Sequence, residues 1–306
     1  QSVDHRMSNM AEAVDAVTRT RDATRVAGAL FQLAKPGVTR MVLVTTGIGA
    51  ILVPGRIVLP RLALTVTATA AVVAAANALN MYLERDVDAR MARTRTRPLP
   101  SGRLSPEVAL WFGVVLAFTG ISALTFLINP LSGLLSALAI SLYVLVYTPL
   151  KRVTPYALHV GAIPGAIPPL IGWASVTGEL SLPALSVFAI LLVWQIPHFL
   201  AIAIFRASEY EAAGLAVYPS VRGVPAAKRA VIAYSFLLLV VSGLPVVAGL
   251  GATWYLGVAA VLGVTQIVIA LRGLVAPDLS QWARSLFYAT LPYLLVVYGA
   301  LALTAS

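Results

Sequence analysis

Long apolar stretches separated by short polar breaks recur along the chain from about residue 39 to its end. Nine can be read, at roughly 39–55, 62–83, 107–127, 131–149, 156–174, 182–205, 230–250, 252–271 and 285–304. A helix needs about 20 apolar residues to cross a bilayer core, and most of these runs meet that length. The first is the weakest, because Arg40 and Arg56 bracket only fifteen residues and Pro54-Gly55 fall inside its end. It counts as a span because Arg56 can snorkel to the interface. The pattern predicts an all-α, polytopic membrane protein, with nine transmembrane helices around a central cavity that opens to the cytoplasmic side.

No linker or low-complexity segment divides the chain. The expected organisation is a polar, Ala-rich N-terminal segment over 1–35, ending in an amphipathic cytoplasmic helix before Pro36, and one transmembrane domain over 36–306. A signal peptide is not expected, since the 38 residues ahead of the first run are long, polar and hold several acids. The chain opens on Gln1 rather than Met, which leaves room for residues before it.

Composition agrees with the pattern, at 59% hydrophobic and 11% charged over 306 residues. The net charge of +10 would suit a nucleic-acid partner, but its distribution argues against one. With successive loops assigned to opposite sides, twenty Lys and Arg fall on one side and only Arg56 and Arg61 on the other. By the positive-inside rule the crowded side, with the N-terminus, is cytoplasmic, and the partner is the lipid bilayer of the cell membrane. Cysteine is absent, which removes disulfides, thiol catalysis and Cys-ligated metals.

The acids are few and grouped. Asn80, Glu84 and Asp88 close the second apolar run, and Arg90, Arg93, Arg95 and Arg97 follow directly. Carboxylates are costly at the end of a membrane helix, so they default to a functional reading. Each step of four residues advances about 40° and 6 Å, which lets all three look into one cavity. Oxygen ligands on one stripe suit Mg²⁺ shared with substrate phosphates, and the arginines would hold those phosphates. A solvated helix end marking the cytoplasmic face is the plainer alternative. Asp86 lies about 200° from Glu84 and is expected to pair with Arg85 or Arg90. Acids return after the sixth run, in Glu209 and Glu211, and Tyr147-x-x-x-Lys151 follows the fourth. Three loops on one side thus bring acids, a lysine and arginines to one membrane face, as a metal–diphosphate site requires.

Several separated motifs together resemble the UbiA superfamily of intramembrane prenyltransferases, most closely its haem O synthase branch. They are Leu33-Ala34-Lys35-Pro36, the run from Asn80 to Ser105 with Arg93-Thr94 and Arg97-Pro98-Leu99, Tyr147-x-x-x-Lys151, Gly161 to Trp173, and Trp194-Gln195-Ile196-Pro197-His198-Phe199. The resemblance covers nearly the whole chain from Leu33 onward. Two departures stand out. Met81 and Glu84 replace two aspartates of the superfamily's N-D-x-x-D-x-x-x-D, and Phe205 with Glu209 stands where quinone-type members have D-x-x-x-D. One Mg²⁺ is therefore the safer expectation than two.

The resemblance implies transfer of a farnesyl group from farnesyl diphosphate to a vinyl group of haem b, with water added, to give haem O for terminal oxidases. It implies that Asn80, Glu84 and Asp88 hold the metal, with Lys151 and Glu209 also catalytic. Arg93, Arg97, Lys151 and Tyr147 would bind diphosphate. Tyr143, Trp173, Trp194 and Phe199 would offer π faces to the isoprenoid cation, and His198 would touch haem. For each aromatic, packing between helices is the alternative, and for His198 it is a hydrogen bond to a neighbouring span. His159 is expected to pack, and His5 carries no signal. Other haem-biosynthesis or oxidase-assembly membrane proteins are conceivable partners. Two other functions fit fewer residues. Prenylation of a quinone precursor sits poorly with Phe205, and an anion transporter would place ionisable residues near the midplane of both halves.

Overall fold

The computed structural model describes residues 24–55 and 58–305. His5, Arg56 and most of the expected N-terminal segment lie outside the described residues. Described residues 24–33 form a first helix, α1. The long helices that follow are α2 (Pro36–Ile51), α3 (Leu59–Asp88), α4 (Pro106–Ile128), α5 (Pro130–Leu150), α6 (Ala157–Thr177) and α7 (Leu182–Phe205). Two short helices, α8 (Ala207–Ala212) and α9 (Tyr218–Arg222), lead to α10 (Val224–Val247), α11 (Thr253–Arg272) and α12 (Leu279–Ala305).

Prolines set many of the starts. Pro36, Pro60, Pro106, Pro130, Pro183 and Pro225 all stand in a first helical turn, where no N–H is needed and φ is already helical. Ser105 and Asn129 add side-chain caps, accepting from the N–H of Val108 and Ser132.

Eight helices are long and apolar enough to cross a membrane, among the described residues. The expected first span is α2, whose 16 residues reach about 24 Å against a core of about 30 Å. The expected count of nine is therefore not reached by length, although α2 is apolar and packs within the bundle. By contrast α3 runs for 30 residues, roughly 45 Å, and carries its polar C-terminal turns well past the apolar stretch.

Helices α6 and α7 form the centre, with 67% of their span residues buried, whereas α4 has 17% buried and turns most of its surface outward. Trp173, Trp194, Tyr293 and Tyr298 fill the main core between α6, α7 and α12. Helices α2 and α6 approach until backbones touch. A Cβ at Gly49 would run into the Pro169 carbonyl, and one at Gly172 into that of Thr46.

Pro164, Pro168 and Pro169 do not break their span, although a proline inside a helix removes a hydrogen bond and ordinarily kinks or ends it. Helix α6 runs through all three, and it is held on both sides by packed neighbours. Pro164 and Pro168 nevertheless line a cavity, because Gly161, Pro164, Gly165 and Pro168 fall on one stripe of α6. Helix α5 departs from α-geometry near its end, where Leu142–Tyr147 form a π-helical turn.

Candidate active site

The polar end of α3 faces the ends of α5 and α7 and the turn before α2 across a cavity of about 310 Å³. The stripe read from the sequence holds, as Asn80, Glu84 and Asp88 all line this cavity and all are buried. Each meets a cation. Lys151 Nζ donates to Glu84 Oε1 at 2.9 Å, and Arg97 Nη1 donates to Asp88 Oδ2 at 2.6 Å. Lys35 Nζ donates to Asn80 Oδ1 at 3.0 Å. The Asn80 amide nitrogen in turn donates to Glu84 Oε2 and to Thr148 Oγ1, each at 3.0 Å. Removing either partner of such an ion pair strands a charge in a poorly hydrated place.

The loop after α3 is folded back by Thr94, whose hydroxyl donates to the Asp88 carbonyl at 2.8 Å. That turn sets Arg93 and Arg97 on the cavity wall. Arg93 also lies 3.8 Å from Glu209, which is paired to Arg206 at 2.7 Å. Asp86 points elsewhere and lies 3.9 Å from Arg85, as its helical angle requires.

On the opposite wall the Tyr147 ring lies 4.5 Å under Lys151 Nζ and 5.3 Å from the Tyr143 ring. The π-helical turn displays both tyrosines toward the cavity. Gly161 makes room for this, since a Cβ there would lie 2.5 Å from two Tyr147 ring atoms.

Two lysines carry opposite shifts. Lys35 is pushed down to about 7, by burial first and then by repulsion from Arg97 and Lys151. Burial also works against a charge on Lys151, but Tyr147 and Glu84 beside it outweigh that and hold its ammonium above the ordinary lysine range. Burial pushes the Tyr210 hydroxyl, another lining group, upward.

A second cavity, about 320 Å³ and mostly apolar, lies deeper between α2, α3, α5, α6 and α7. Tyr143, Tyr147 and Phe199 line both cavities and form a shared neck. Polar head and apolar tail of one amphiphilic molecule would thus meet at aromatic faces.

Not every residue singled out in the sequence comes to this place. Asn80, Glu84, Asp88, Arg93, Arg97, Tyr143, Tyr147, Lys151 and Phe199 line it. Glu209 is one remove away, behind Arg93. Trp173, Trp194 and His198 line neither cavity. The Trp194 indole donates to the Thr290 carbonyl at 2.7 Å and stacks on His198 at 4.7 Å. His198 Nδ1 lies 2.7 Å from Thr290 Oγ1, so both side chains tie α7 to α12. His159 packs among Tyr156, Tyr218 and Tyr234. Lys35, Thr148 and Tyr210 are among the lining or supporting residues that the sequence did not mark as site residues. For Lys35 the signal lies in Leu33-Ala34-Lys35-Pro36, a motif of the family resemblance that assigns the lysine no role by itself.

Among the described residues no three His, Cys, Asp or Glu side chains gather into a metal cage. Two carboxylates and one amide oxygen on one cavity wall are nevertheless the hard-donor set of an ion that keeps water and phosphate among its ligands, as Mg²⁺ does.

A family model described as the UbiA prenyltransferase family matches residues 42–291. The chain is similar to the "Protoheme IX farnesyltransferase" of Sorangium cellulosum (strain So ce56), at 49% identity over 245 residues, which is 80% of this chain and 88% of that one. It is similar to the protein of the same name from Myxococcus xanthus (strain DK1622), at 44% over 285 residues, 93% of this chain and 97% of that one. Its fold is similar to the solved structure of a UbiA homolog from Archaeoglobus fulgidus bound to GPP and Mg²⁺, with a TM-score of 0.68 at 14% identity, covering 89% of this chain and 99% of that one.

Proposed function

This chain belongs to the UbiA prenyltransferase family, and from that premise we infer that it is a protohaem IX farnesyltransferase of the membrane. It moves the farnesyl group of farnesyl diphosphate onto a vinyl group of haem b and yields haem O. The observation that carries the reading is the adjoining pair of cavities, one ringed with acids and cations and the other apolar, meeting at Tyr143, Tyr147 and Phe199. The names of the similar proteins support haem as the acceptor and farnesyl as the group transferred.

The demanding event is departure of diphosphate. The allylic C–O bond breaks, its electron pair stays on the leaving oxygen, and negative charge accumulates there. Lys151, Arg93 and Arg97 line the polar cavity and would donate charge-assisted hydrogen bonds to that oxygen cluster. Asn80, Glu84 and Asp88 would hold Mg²⁺, which supplies Lewis-acid neutralisation of the diphosphate when bound. Tyr143, Tyr147 and Phe199 at the neck would face the allylic cation with their π clouds, while the apolar cavity keeps water from it. The vinyl π electrons of the acceptor then form the new C–C bond. Water adds to the resulting cation and releases a proton, so no side chain need deprotonate the vinyl group. Glu209 acts as a positioning residue, through Arg93.

The twenty-to-two split of Lys and Arg supports a polar cavity that opens to the cytoplasmic side of the cell membrane. Purified protein in lipid nanodiscs, given haem b, farnesyl diphosphate and Mg²⁺, should convert haem b to a heavier pigment with the mass of haem O. EDTA should stop the conversion. Asp88→Asn should lower turnover by at least about 100-fold, since it removes a metal ligand and unbalances Arg97. Unchanged haem with prenylation of a hydroxybenzoate would transfer the reading to a quinone precursor.

A further inference from the structure

The turn ahead of α2 contains the one non-glycine residue with positive φ among the described residues. Lys35 sits at φ 46°, ψ 68°, immediately before Pro36. A side chain with a Cβ is disfavoured there, and a following proline favours extended backbone instead. Strain of this kind persists only where the surroundings fix it, and here they do. Thr39 Oγ1 donates to the Ala34 carbonyl at 2.6 Å, and Asn77 Nδ2 reaches the same oxygen at 3.3 Å. Leu33, fully buried, anchors the preceding helix against Met81, Leu99 and Leu104. The result is a lysine turned inward, half-buried, with its ammonium on Asn80 Oδ1 in the wall of the polar cavity. A lysine whose only work was solvation would point outward on an unstrained turn.

We propose that Lys35 is a further cationic contact for the prenyl diphosphate, aimed by this strained turn, and that it passes from Asn80 to a phosphate oxygen as substrate binds. The proposal rests on the prenyltransferase reading for its ligand. It gives a symmetry to the site, because each of the three oxygen-bearing side chains of α3 carries its own cation: Lys35 on Asn80, Lys151 on Glu84 and Arg97 on Asp88. Diphosphate arriving with the metal would exchange all three partners at once, and no charge would be left uncompensated in the cavity. Metal alone would have to displace the cations with nothing to receive them. Metal and diphosphate should therefore bind far more tightly together than either does alone.

The test uses the full chain in nanodiscs and inorganic pyrophosphate, by isothermal titration in Mg²⁺. Lys35→Met should weaken pyrophosphate by about 10- to 100-fold, the size of a lost charge-assisted hydrogen bond. Lys35→Arg should restore most of that loss. Mg²⁺ titrated without pyrophosphate should bind Lys35→Met no more weakly than wild type, because Asn80 Oδ1 is released. A merely structural lysine would lower both affinities together and would not be rescued by arginine. In the wild-type protein, amine-directed labelling of Lys35 read by mass spectrometry should slow when Mg²⁺ and pyrophosphate are added, which needs no variant to fold. Unchanged pyrophosphate affinity in Lys35→Met, equal loss in the Met and Arg variants, or unaltered labelling would each overturn the assignment. If these results come out as expected while haem b is not farnesylated, the acceptor reading fails and Lys35 keeps its role.

Discussion

His198 shows how a residue's meaning changes between sequence and structure. In the sequence it stands in a run shared with the haem O synthase branch, and a contact to haem is the natural expectation. In the structure it lies 2.7 Å from Thr290 Oγ1, stacked on Trp194 and 4.8 Å from the Phe287 ring. These contacts fasten α7 to α12, and neither cavity reaches the ring. His198→Ala should therefore cost about 1–3 kcal/mol of stability through the hydrogen bond and packing it removes. The haem b Soret band on titration should stay where the wild type puts it. A shifted band would return His198 to the acceptor site. Lys35 is the converse case, a residue with little sequence signal that the backbone aims into the cavity.

At the scale of elements, the neck between the cavities depends on a fit of α6 against α5. Gly161 leaves no room for a methyl group beside Tyr147, and Tyr147 lies under Lys151. Gly161→Ala should push the Tyr147 ring aside, cost about 1–3 kcal/mol by overpacking, and lower turnover roughly tenfold by disturbing the lysine. Adding Tyr147→Leu in the same chain should recover stability and leave turnover low, since the smaller side chain relieves the clash without restoring the aromatic face. Thermal melts and haem O formation rates on the single and double variants check this. Recovery of both quantities in the double variant would remove Tyr147 from the neck. The glycine itself is visible in the sequence; that its Cβ would meet a tyrosine on another helix is not.

For the whole molecule, the testable quantity is which face carries the polar cavity. Ser101, in the loop between α3 and α4, and Ser220, within α9, are exposed on the cavity side, and Thr177 is exposed at the far end of α6. Arg61, one of the two basic residues assigned outside, donates to the Ser175 carbonyl at 2.6 Å, beside that far end. Since the native chain has no cysteine, single cysteines report cleanly. Those at 101 and 220 should react with an impermeant maleimide only from the cytoplasmic side, and one at 177 only from outside. External labelling at 101 would invert the orientation.

The sequence by itself determined the all-α membrane architecture, because apolar length and the restriction of charge to loops are local properties that a bilayer enforces residue by residue. It also determined the stripe of Asn80, Glu84 and Asp88, since helical periodicity alone puts i, i+4 and i+8 on one wall. It marked Lys151, Arg93 and Arg97 by type and spacing. It could not fix that the helix of α2 is only 16 residues long, or that α6 continues through three prolines, because both depend on the neighbours that hold those helices. Nor could it divide the aromatics, sending Tyr143 and Phe199 to the cavities and Trp173 and Trp194 to the core. Only the tertiary structure decided that each side chain of the stripe meets its own cation. Those cations come from the turn before α2, the loop after α3 and the end of α5, and distances between them are set by packing across the bundle, which no local pattern encodes.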